Sequence, residues 1–197
     1  MSGGNLDRRA VAAKLVQTAD AAPGGPLLVV CGLGSAVYDI GAAGDRPENF
    51  YLWGAMGGAA MIGLGLALAQ PSRRVLVVTG DGEALMGLGA LATVAAMAPA
   101  NLSIVILDNG QFGETGHQRS HTSLGTDLSV VARGCGWRNV AVVEDMAGVD
   151  ALAPRLQAEA LLAVIRISPA EVPRFLPPRD GAMLTLRLRQ AIGVAPD

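Results

Sequence analysis

The residues best suited to chemistry include an aspartate between two glycines, Gly80-Asp81-Gly82, placed directly after the apolar run Val75–Thr79. The glycines allow a sharp turn and a close approach of the backbone to a bulky anion. The start of the helix predicted over Glu83–Met97 offers unpaired N–H groups to phosphate. A carboxylate there would repel phosphate unless a divalent cation such as Mg²⁺ lay between the two groups. Asp81 is therefore a candidate metal ligand; the alternative is an aspartate that simply caps the helix.

A second polar loop follows the next apolar run, and its Asn109 lies 28 residues after Asp81. One helix and one strand fill that spacing, so both loops end at the same edge of a parallel sheet. The Asn109 side chain and the main-chain carbonyl of Gln111, turned by Gly110, would give the ion further oxygen ligands. The alternative is that Asp108-Asn109-Gly110 forms only a tight turn. A hairpin would need a matching strand directly afterwards, and residues 111–126 do not offer one.

The elements that must position these loops are short apolar runs alternating with segments rich in Ala, Gly and Leu. Runs without polar alternation are typical of strands covered on both faces, and the alternation with helices predicts a parallel sheet. We expect an α/β fold: a single three-layer domain over residues 1–197, with a mainly parallel sheet covered by helices on both faces. Its core spans about residues 27–168, after an N-terminal helix (6–21) and before a proline-rich arm (169–197) that packs on a neighbouring surface. The predicted strands are Leu27–Cys31, Val75–Thr79, Ser103–Leu107, Val140–Glu144 and Ala163–Ile167, and the other predicted helices are Gly57–Gln70, Glu83–Met97, Thr126–Gly134, Ala147–Ala160 and Met183–Ile192.

Composition excludes several classes of protein. The 197 residues are 51% hydrophobic and 16% charged with a net charge of −2, which argues against disorder and against nucleic-acid binding. Asn49–Ser72 and Ala84–Leu107 are long enough to cross a membrane. Glycines and Pro99 interrupt them, and neither has the flanking residues of a spanning helix, so we predict no membrane span. With two cysteines and no signal-peptide pattern, we expect a cytoplasmic protein.

The segment GDGEALMGLGALATVAAMAPANLSIVILDN resembles the binding motif of thiamine-diphosphate-dependent enzymes. The resemblance covers Leu27 to Ile167, and it implies the diphosphate-binding domain of that family. It further implies thiamine diphosphate and Mg²⁺ as cofactors, with Asp81, Asn109 and the backbone oxygen of Gln111 as metal ligands. Asp108 stands where the commonest form of the motif has Asn. The cofactor contacts implied beside the metal ligands are Gly80, Gly82, Glu83, Phe112 and Gly113.

The segment Leu52–Gly58 is similar to a loop of 2-oxoacid decarboxylases. By that resemblance, Met56 wedges beneath the cofactor and holds it bent, and the Gly54 carbonyl, next to Ala55, accepts a hydrogen bond from the aminopyrimidine. The alternative for Met56 is a side chain that fills a gap in the core. Gly34 and Ser35, in the loop after the first strand, are expected to reach the diphosphate or the edge of the substrate.

The stretch DNGQFGETGHQ is similar to sulfopyruvate decarboxylase β subunits and to phosphonopyruvate decarboxylase. The substrate implied is a small 2-oxoacid. His117, which replaces the usual Asn, is a candidate proton shuttle because imidazole titrates near neutrality. Arg119 is a candidate partner for a substrate oxyanion, and Glu114 could face the reacting centre. The alternative for His117 is an exposed loop residue without a role, and the alternative for Arg119 is a solvated arginine.

The glutamate that activates this cofactor belongs to a second domain in full-length enzymes of the family, and no second α/β unit is visible here. We therefore expect a pyrimidine-binding, α-type partner chain to supply it, in a homo- or hetero-oligomer. The alternatives within the same cofactor class are a carboligase and a 2-oxoacid dehydrogenase subunit. Outside it, Gly32-Leu33-Gly34 after a strand weakly suggests an NAD-dependent oxidoreductase, although Val37 occupies the position of the third glycine. A non-catalytic binding protein with this fold is a further alternative.

Overall fold

A six-stranded parallel sheet forms the centre of the computed structural model, which describes residues 5–194. Its strand order is β2-β1-β3-β4-β8-β7, and every neighbouring pair is parallel. A separate two-stranded antiparallel ribbon, β5-β6, lies in the loop after β4. The strands are β1 (Leu28–Cys31), β2 (Asn49–Tyr51), β3 (Val75–Gly80), β4 (Leu102–Asp108), β5 (Gln111–Phe112), β6 (Gln118–Arg119), β7 (Val140–Val143) and β8 (Leu162–Arg166).

Helices cover both faces of the sheet. Alternate strand residues such as Val29 and Leu76 pack under α1, α2 and α7, whereas Val30 and Val77 pack under α3, α5 and α6. The predicted α/β fold with helices on both faces is confirmed. Residues 1–4 and 195–197, the ends of the predicted domain and arm, lie outside the described residues. The helices are α1 (Arg8–Asp20), α2 (Ser35–Ala43), α3 (Ala59–Ala69), α4 (Asp81–Met86), α5 (Leu88–Met97), α6 (Leu128–Gly134), α7 (Met146–Ala158) and α8 (Gly181–Ala191), with 3₁₀ turns at Gly113–Thr115 and His121–Leu124.

The structure corrects the prediction of one continuous helix over Glu83–Met97. The chain forms α4 and α5 instead, with a break at Gly87. A side chain at Gly87 would place its Cβ only 2.3 Å from the carbonyl oxygen of Gly57, so the loop after β2 presses against this point. Tertiary contact between two glycines therefore divides a segment whose local composition favours a single helix.

Helix α2 and strand β2, both before β3 in the chain, were not predicted. Helix α2 begins directly after Gly34, and the three-residue strand β2 forms the edge of the sheet beside β1. The first residue of α2 is Ser35, so this side chain belongs to a helix start rather than to a free loop. Among residues 5–194, no helix combines the length and the apolarity that crossing a bilayer requires.

The arm after β8 packs against its own chain. Arg9 of α1 donates to the carbonyl oxygen of Pro173 (2.6 Å), and the Trp53 indole donates to that of Pro178 (3.0 Å). Helix α8 then lies beside the edge strand β2, where Arg187 donates to the Asn49 carbonyl oxygen (3.0 Å) and pairs with Asp45 (2.8 Å). The arm and α8 thus cover an edge that would otherwise be open to pairing with other chains.

Candidate active site

The loops that follow β1, β3 and β4 meet at the carboxyl edge of the sheet and line a cavity that is partly open to solvent. Open parallel sheets bind their ligands at this edge. Asp81 and Asn109, which the sequence places 28 residues apart, line the same cavity. The other predicted site residues that line it are Gly34, Ser35, Met56, Gly80, Gly82, Glu83, Gln111, Phe112, Gly113 and Glu114.

Asp81 is the most buried acidic group of this cavity, with 2% of its surface exposed. The Ser120 hydroxyl donates to its Oδ2, and the Thr122 Oγ1 lies 3.2 Å from the same oxygen. Burial raises the pKa of Asp81 to about 6, and the nearby carboxylate of Asp108 also raises it. The hydrogen bonds from the Ser120 and Thr122 hydroxyls lower the pKa and so oppose this shift. A buried carboxylate beside a second one creates a negative site that a bound cation would neutralise.

No pattern in the sequence predicted that these two hydroxyls contact Asp81. Ser120 and Thr122 lie 39 and 41 residues after Asp81, in the turn that follows the β5-β6 ribbon. That ribbon folds the segment after Asn109 back over the loop after β3. The expectation that residues 111–126 hold no matching strand was therefore wrong in part, because Gln111–Phe112 pairs with Gln118–Arg119.

The carboxylate of Asp108 is fully engaged by neighbouring groups of the protein. Its Oδ2 pairs with Arg166 of β8 at 2.8 Å, and its Oδ1 accepts from the Gly110 N–H (3.0 Å) and from the Thr122 hydroxyl (2.7 Å). An arginine thus balances the charge that Asp introduces where the common motif has Asn.

Asn109 and Gln111 lie in a turn made by Gly110, whose φ is +72°. The Asn109 Oδ1 accepts from the Gln111 N–H at 2.9 Å, so the tight turn considered as the alternative is present. A carboxamide oxygen has a second lone pair, so the turn leaves it able to bind an ion.

The donor set of the cavity fits Mg²⁺ and a phosphorylated ligand. One carboxylate, one carboxamide oxygen and one main-chain carbonyl are hard oxygen donors, which Mg²⁺ prefers together with phosphate oxygens and water. Within the described part of the chain, no three His, Cys, Asp or Glu side chains are grouped to hold a metal, so the donors do not fit a zinc site. Gly82 keeps the cavity wall close to Phe112, because a Cβ there would lie 2.7 Å from the ring.

Glu83 lines the cavity, and both oxygens of its carboxylate accept hydrogen bonds from the protein. Its Oε1 accepts from the N–H groups of Gly57 (3.2 Å) and Ala59 (3.3 Å), and its Oε2 accepts from the Thr79 hydroxyl (2.9 Å). Burial raises the pKa of Glu83, and these hydrogen bonds oppose that shift. Both oxygens are therefore engaged by the protein, and Glu83 fixes the loop Leu52–Gly58 against α4.

That loop brings Met56 to the cavity wall. Gly54 and Gly57 adopt φ angles of +78° and +96°, which favour glycine. Gly54 and Ala55 are exposed and do not line the cavity.

The structure separates the predicted substrate residues. Glu114 lines the cavity, whereas His117 lines a neighbouring one, where its Nε2 lies 2.9 Å from Glu171. Arg119 is not among the residues that line either cavity, and its guanidinium donates to the Ser123 carbonyl oxygen.

Comparison with known proteins gives the context for this geometry. Residues 39–167 match the family model of the thiamine pyrophosphate enzyme, C-terminal TPP binding domain. An X-ray structure of a Mycobacterium smegmatis protein assigned to the thiamin diphosphate-dependent enzymes superposes with a TM-score of 0.68 at 25% identity, over 86% of this chain and 33% of the other.

Two curated relatives carry more specific names. A phosphonopyruvate decarboxylase of Streptomyces hygroscopicus is 53% identical over 57% of this chain and 27% of its own length. A sulfopyruvate decarboxylase subunit beta of Methanothermobacter thermautotrophicus is 44% identical over 64% of this chain and 67% of its own. The sulfopyruvate decarboxylase subunit beta of Methanocaldococcus jannaschii is matched over 57% of its own length. This chain therefore spans only part of the length of these relatives. By the family match, which spans most of the chain, this protein belongs to the thiamine pyrophosphate enzymes through their C-terminal TPP-binding domain.

Proposed function

We propose that this chain is the diphosphate- and Mg²⁺-binding part of a thiamine-diphosphate-dependent decarboxylase that acts on a small 2-oxoacid. The observation that carries the proposal is that Asp81, Asn109 and Gln111 line one cavity at the carboxyl edge of the sheet. Relatives named for sulfopyruvate and phosphonopyruvate decarboxylation support a substrate of that kind.

Each residue of the cavity has a proposed task. Asp81, the Asn109 side chain and the Gln111 carbonyl would hold Mg²⁺ against the diphosphate, next to the backbone at Gly34 and Ser35 where α2 begins. Met56 would support the cofactor from below, with Gly54 and Ala55 in the same loop. When bound, the cofactor supplies an electron sink for the pair left by departing carbon dioxide. The remaining proposed contacts are Gly80, Gly82, Phe112 and Gly113.

Glu114 and His117 are proposed to act on the substrate side. Glu114 lines both the cofactor cavity and its neighbour, so its carboxylate lies between the two spaces. His117 contacts Gln111 (3.3 Å) and Glu171 (2.9 Å), which would orient an imidazole that relays a proton.

A pyrimidine-binding partner chain is proposed to supply the activating glutamate. Helix α3 presents Met61 (43% exposed) and Leu68 (50% exposed), which is an apolar surface suited to association. Relatives named as subunits support an assembly of two kinds of chain. The two free cysteines, Cys31 and Cys135, are in keeping with a reducing compartment such as the cytoplasm.

A thermal-shift titration tests the cofactor assignment. Thiamine diphosphate should raise the Tm of the chain only when Mg²⁺ is present, because the ion joins two anionic partners, and NAD should have no effect. Asp81→Ala should abolish the Mg²⁺-dependent shift. Asp150→Ala, a change at an exposed carboxylate paired with Lys14, should retain it. An unchanged shift in Asp81→Ala would remove Asp81 from the metal site.

A further inference from the structure

A second cavity, also partly open to solvent, adjoins the candidate cofactor cavity. Ser35, Gly113 and Glu114 line both, so these residues form the boundary between the two spaces. The remaining walls come from α1, α2, the loop at His117 and the arm after β8. A small molecule that reacts beside the cofactor could therefore extend its far end into this second cavity.

The arm contributes one cationic side chain, Arg174, to the lining of the second cavity. Its guanidinium lies 5.4 Å above the Tyr38 ring, which holds it by a cation–π contact. It approaches Glu114 Oε2 at 3.6 Å, a longer ion-pair contact than the 2.6 Å of Arg8 with Asp39. The adjacent Pro173 is held by Arg9, so the backbone beside Arg174 is anchored.

Arg174 also has more unused hydrogen-bonding capacity than Arg8 and His117, the other basic side chains that line the cavity. Arg8 lines the cavity but pairs with the fully buried Asp39, and His117 pairs with Glu171. Arg174 carries five N–H donors, and its side chain is 60% exposed. In the part of the chain that the structure describes, it makes only the single long ion pair and the ring contact.

We propose that Arg174 binds the distal acidic group of the 2-oxoacid substrate, a sulfonate, a phosphonate or a second carboxylate. This inference rests on the proposed function, and it assigns to Arg174 the oxyanion contact that the sequence suggested for Arg119. A guanidinium binds such a group with two parallel hydrogen bonds. Glu114 occupies this position before the substrate arrives, and the substrate oxyanion takes its place on Arg174.

Two carboxylates near Arg174 oppose the binding of a substrate anion. Glu114 and Glu171 both line the cavity and repel an anion. Glu171 accepts a contact from His117 (2.9 Å), whereas Glu114, once it leaves Arg174, keeps only a neutral donor, the Tyr38 hydroxyl (3.2 Å), among the described contacts of its Oε2. Removing the charge of Glu114 should therefore strengthen anion binding, whereas removing that of Arg174 should weaken it.

The experiment is a calorimetric titration of the full chain, loaded with Mg²⁺ and thiamine diphosphate, with sulfoacetate, phosphonoacetate, malonate and acetate. The first three carry a second acidic group and should bind, and their relative affinities identify the preferred oxyanion. Arg174→Gln should weaken that binding by about ten- to a hundredfold, as expected for loss of a charge-assisted bidentate contact. Arg174→Lys should restore part of it, and Glu114→Gln should tighten it.

Arg179→Gln is the matched control. Arg179 lies on the same arm and stacks over the Trp53 ring (5.8 Å), but it does not line the cavity, so binding should not change. Equal affinities of Arg174→Gln and the wild type, an equal loss in Arg179→Gln, or no binding of any diacid by the wild type would each overturn the proposal. A titration of the chain with thiamine diphosphate and Mg²⁺ alone separates the two hypotheses. No cofactor binding defeats the proposed function, whereas cofactor binding combined with diacid binding that does not depend on Arg174 defeats only this assignment.

Discussion

Asp108 shows how a single residue can depart from a common motif without disturbing the site. Its side chain is 3% exposed, and it pairs with Arg166, which is 15% exposed. A buried carboxylate is costly without a partner, so the arginine on the neighbouring strand accounts for the tolerance of Asp at this position.

We expect Arg166→Met to lower the free energy of unfolding by about 3 kcal/mol, because it leaves the Asp108 carboxylate buried and unpaired. Chemical denaturation measures the change. The double variant Asp108→Asn/Arg166→Met should recover most of the lost stability, since the buried charge is removed with its partner. Additive losses in the double variant would show that the pair is not coupled.

The site residues divide into those that local sequence could predict and those that it could not. Asp81 and Asn109 follow apolar strands at a spacing of one helix and one strand, so a parallel sheet brings them to one edge. Ser120 and Thr122 reach Asp81 only because the β5-β6 ribbon folds back, and no local pattern encodes that contact. Arg174 comes from an arm without regular structure, so its position depends on distant anchors such as Arg9.

At the scale of elements, the predicted strands were found because the buried runs lack polar alternation. Helix α2 and strand β2 were missed for physical reasons. Strand β2 has only three residues, and α2 contains Gly41 and begins after Gly34 without a side-chain cap. The break between α4 and α5 depends on the contact of Gly87 with Gly57, which a helical pattern cannot reveal.

The carboxylate of Glu83 is the link between two of these elements, the loop Leu52–Gly58 and α4. We expect Glu83→Ala to lower stability by about 1–3 kcal/mol, because two backbone N–H groups and the Thr79 hydroxyl lose their acceptor. Hydrogen exchange should then accelerate at Gly57 and Ala59, and thiamine diphosphate should bind more weakly because Met56 is no longer held in place.

Two glycine variants provide the comparison. A Cβ at Gly32 would lie 1.7 Å from Glu83 Oε2, so Gly32→Ala should displace the carboxylate and reproduce the exchange pattern of Glu83→Ala. Nothing lies within 4 Å of a Cβ at Gly24, so Gly24→Ala should leave that pattern unchanged. Unaltered exchange at Gly57 and Ala59 in Glu83→Ala would mean that other contacts hold the loop.

For the whole molecule, the central question is what covers the apolar surface of α3. The helix packs its inner side closely on the sheet, since a Cβ at Gly63 would lie 2.2 Å from Val77. Its outer side carries Met61, Gly65 and Leu68, which share one face at the i, i+4, i+7 spacing. A Cβ at Gly65 would meet nothing within 4 Å, so no described residue covers this face at Gly65, and a partner chain could pack there.

We expect the double variant Met61→Lys/Leu68→Lys to lose association with a pyrimidine-binding chain, because two charges would be buried in the interface without partners. Sedimentation velocity of the mixed chains measures this loss. Both side chains are at least 43% exposed, so the stability of the variant alone should change by no more than about 1 kcal/mol. Val142→Lys, on the opposite edge strand β7, is the control and should leave association intact. If the α3 variant assembles as well as the wild type, the partner must dock elsewhere, and the activating glutamate would then have to reach the cavity from another side.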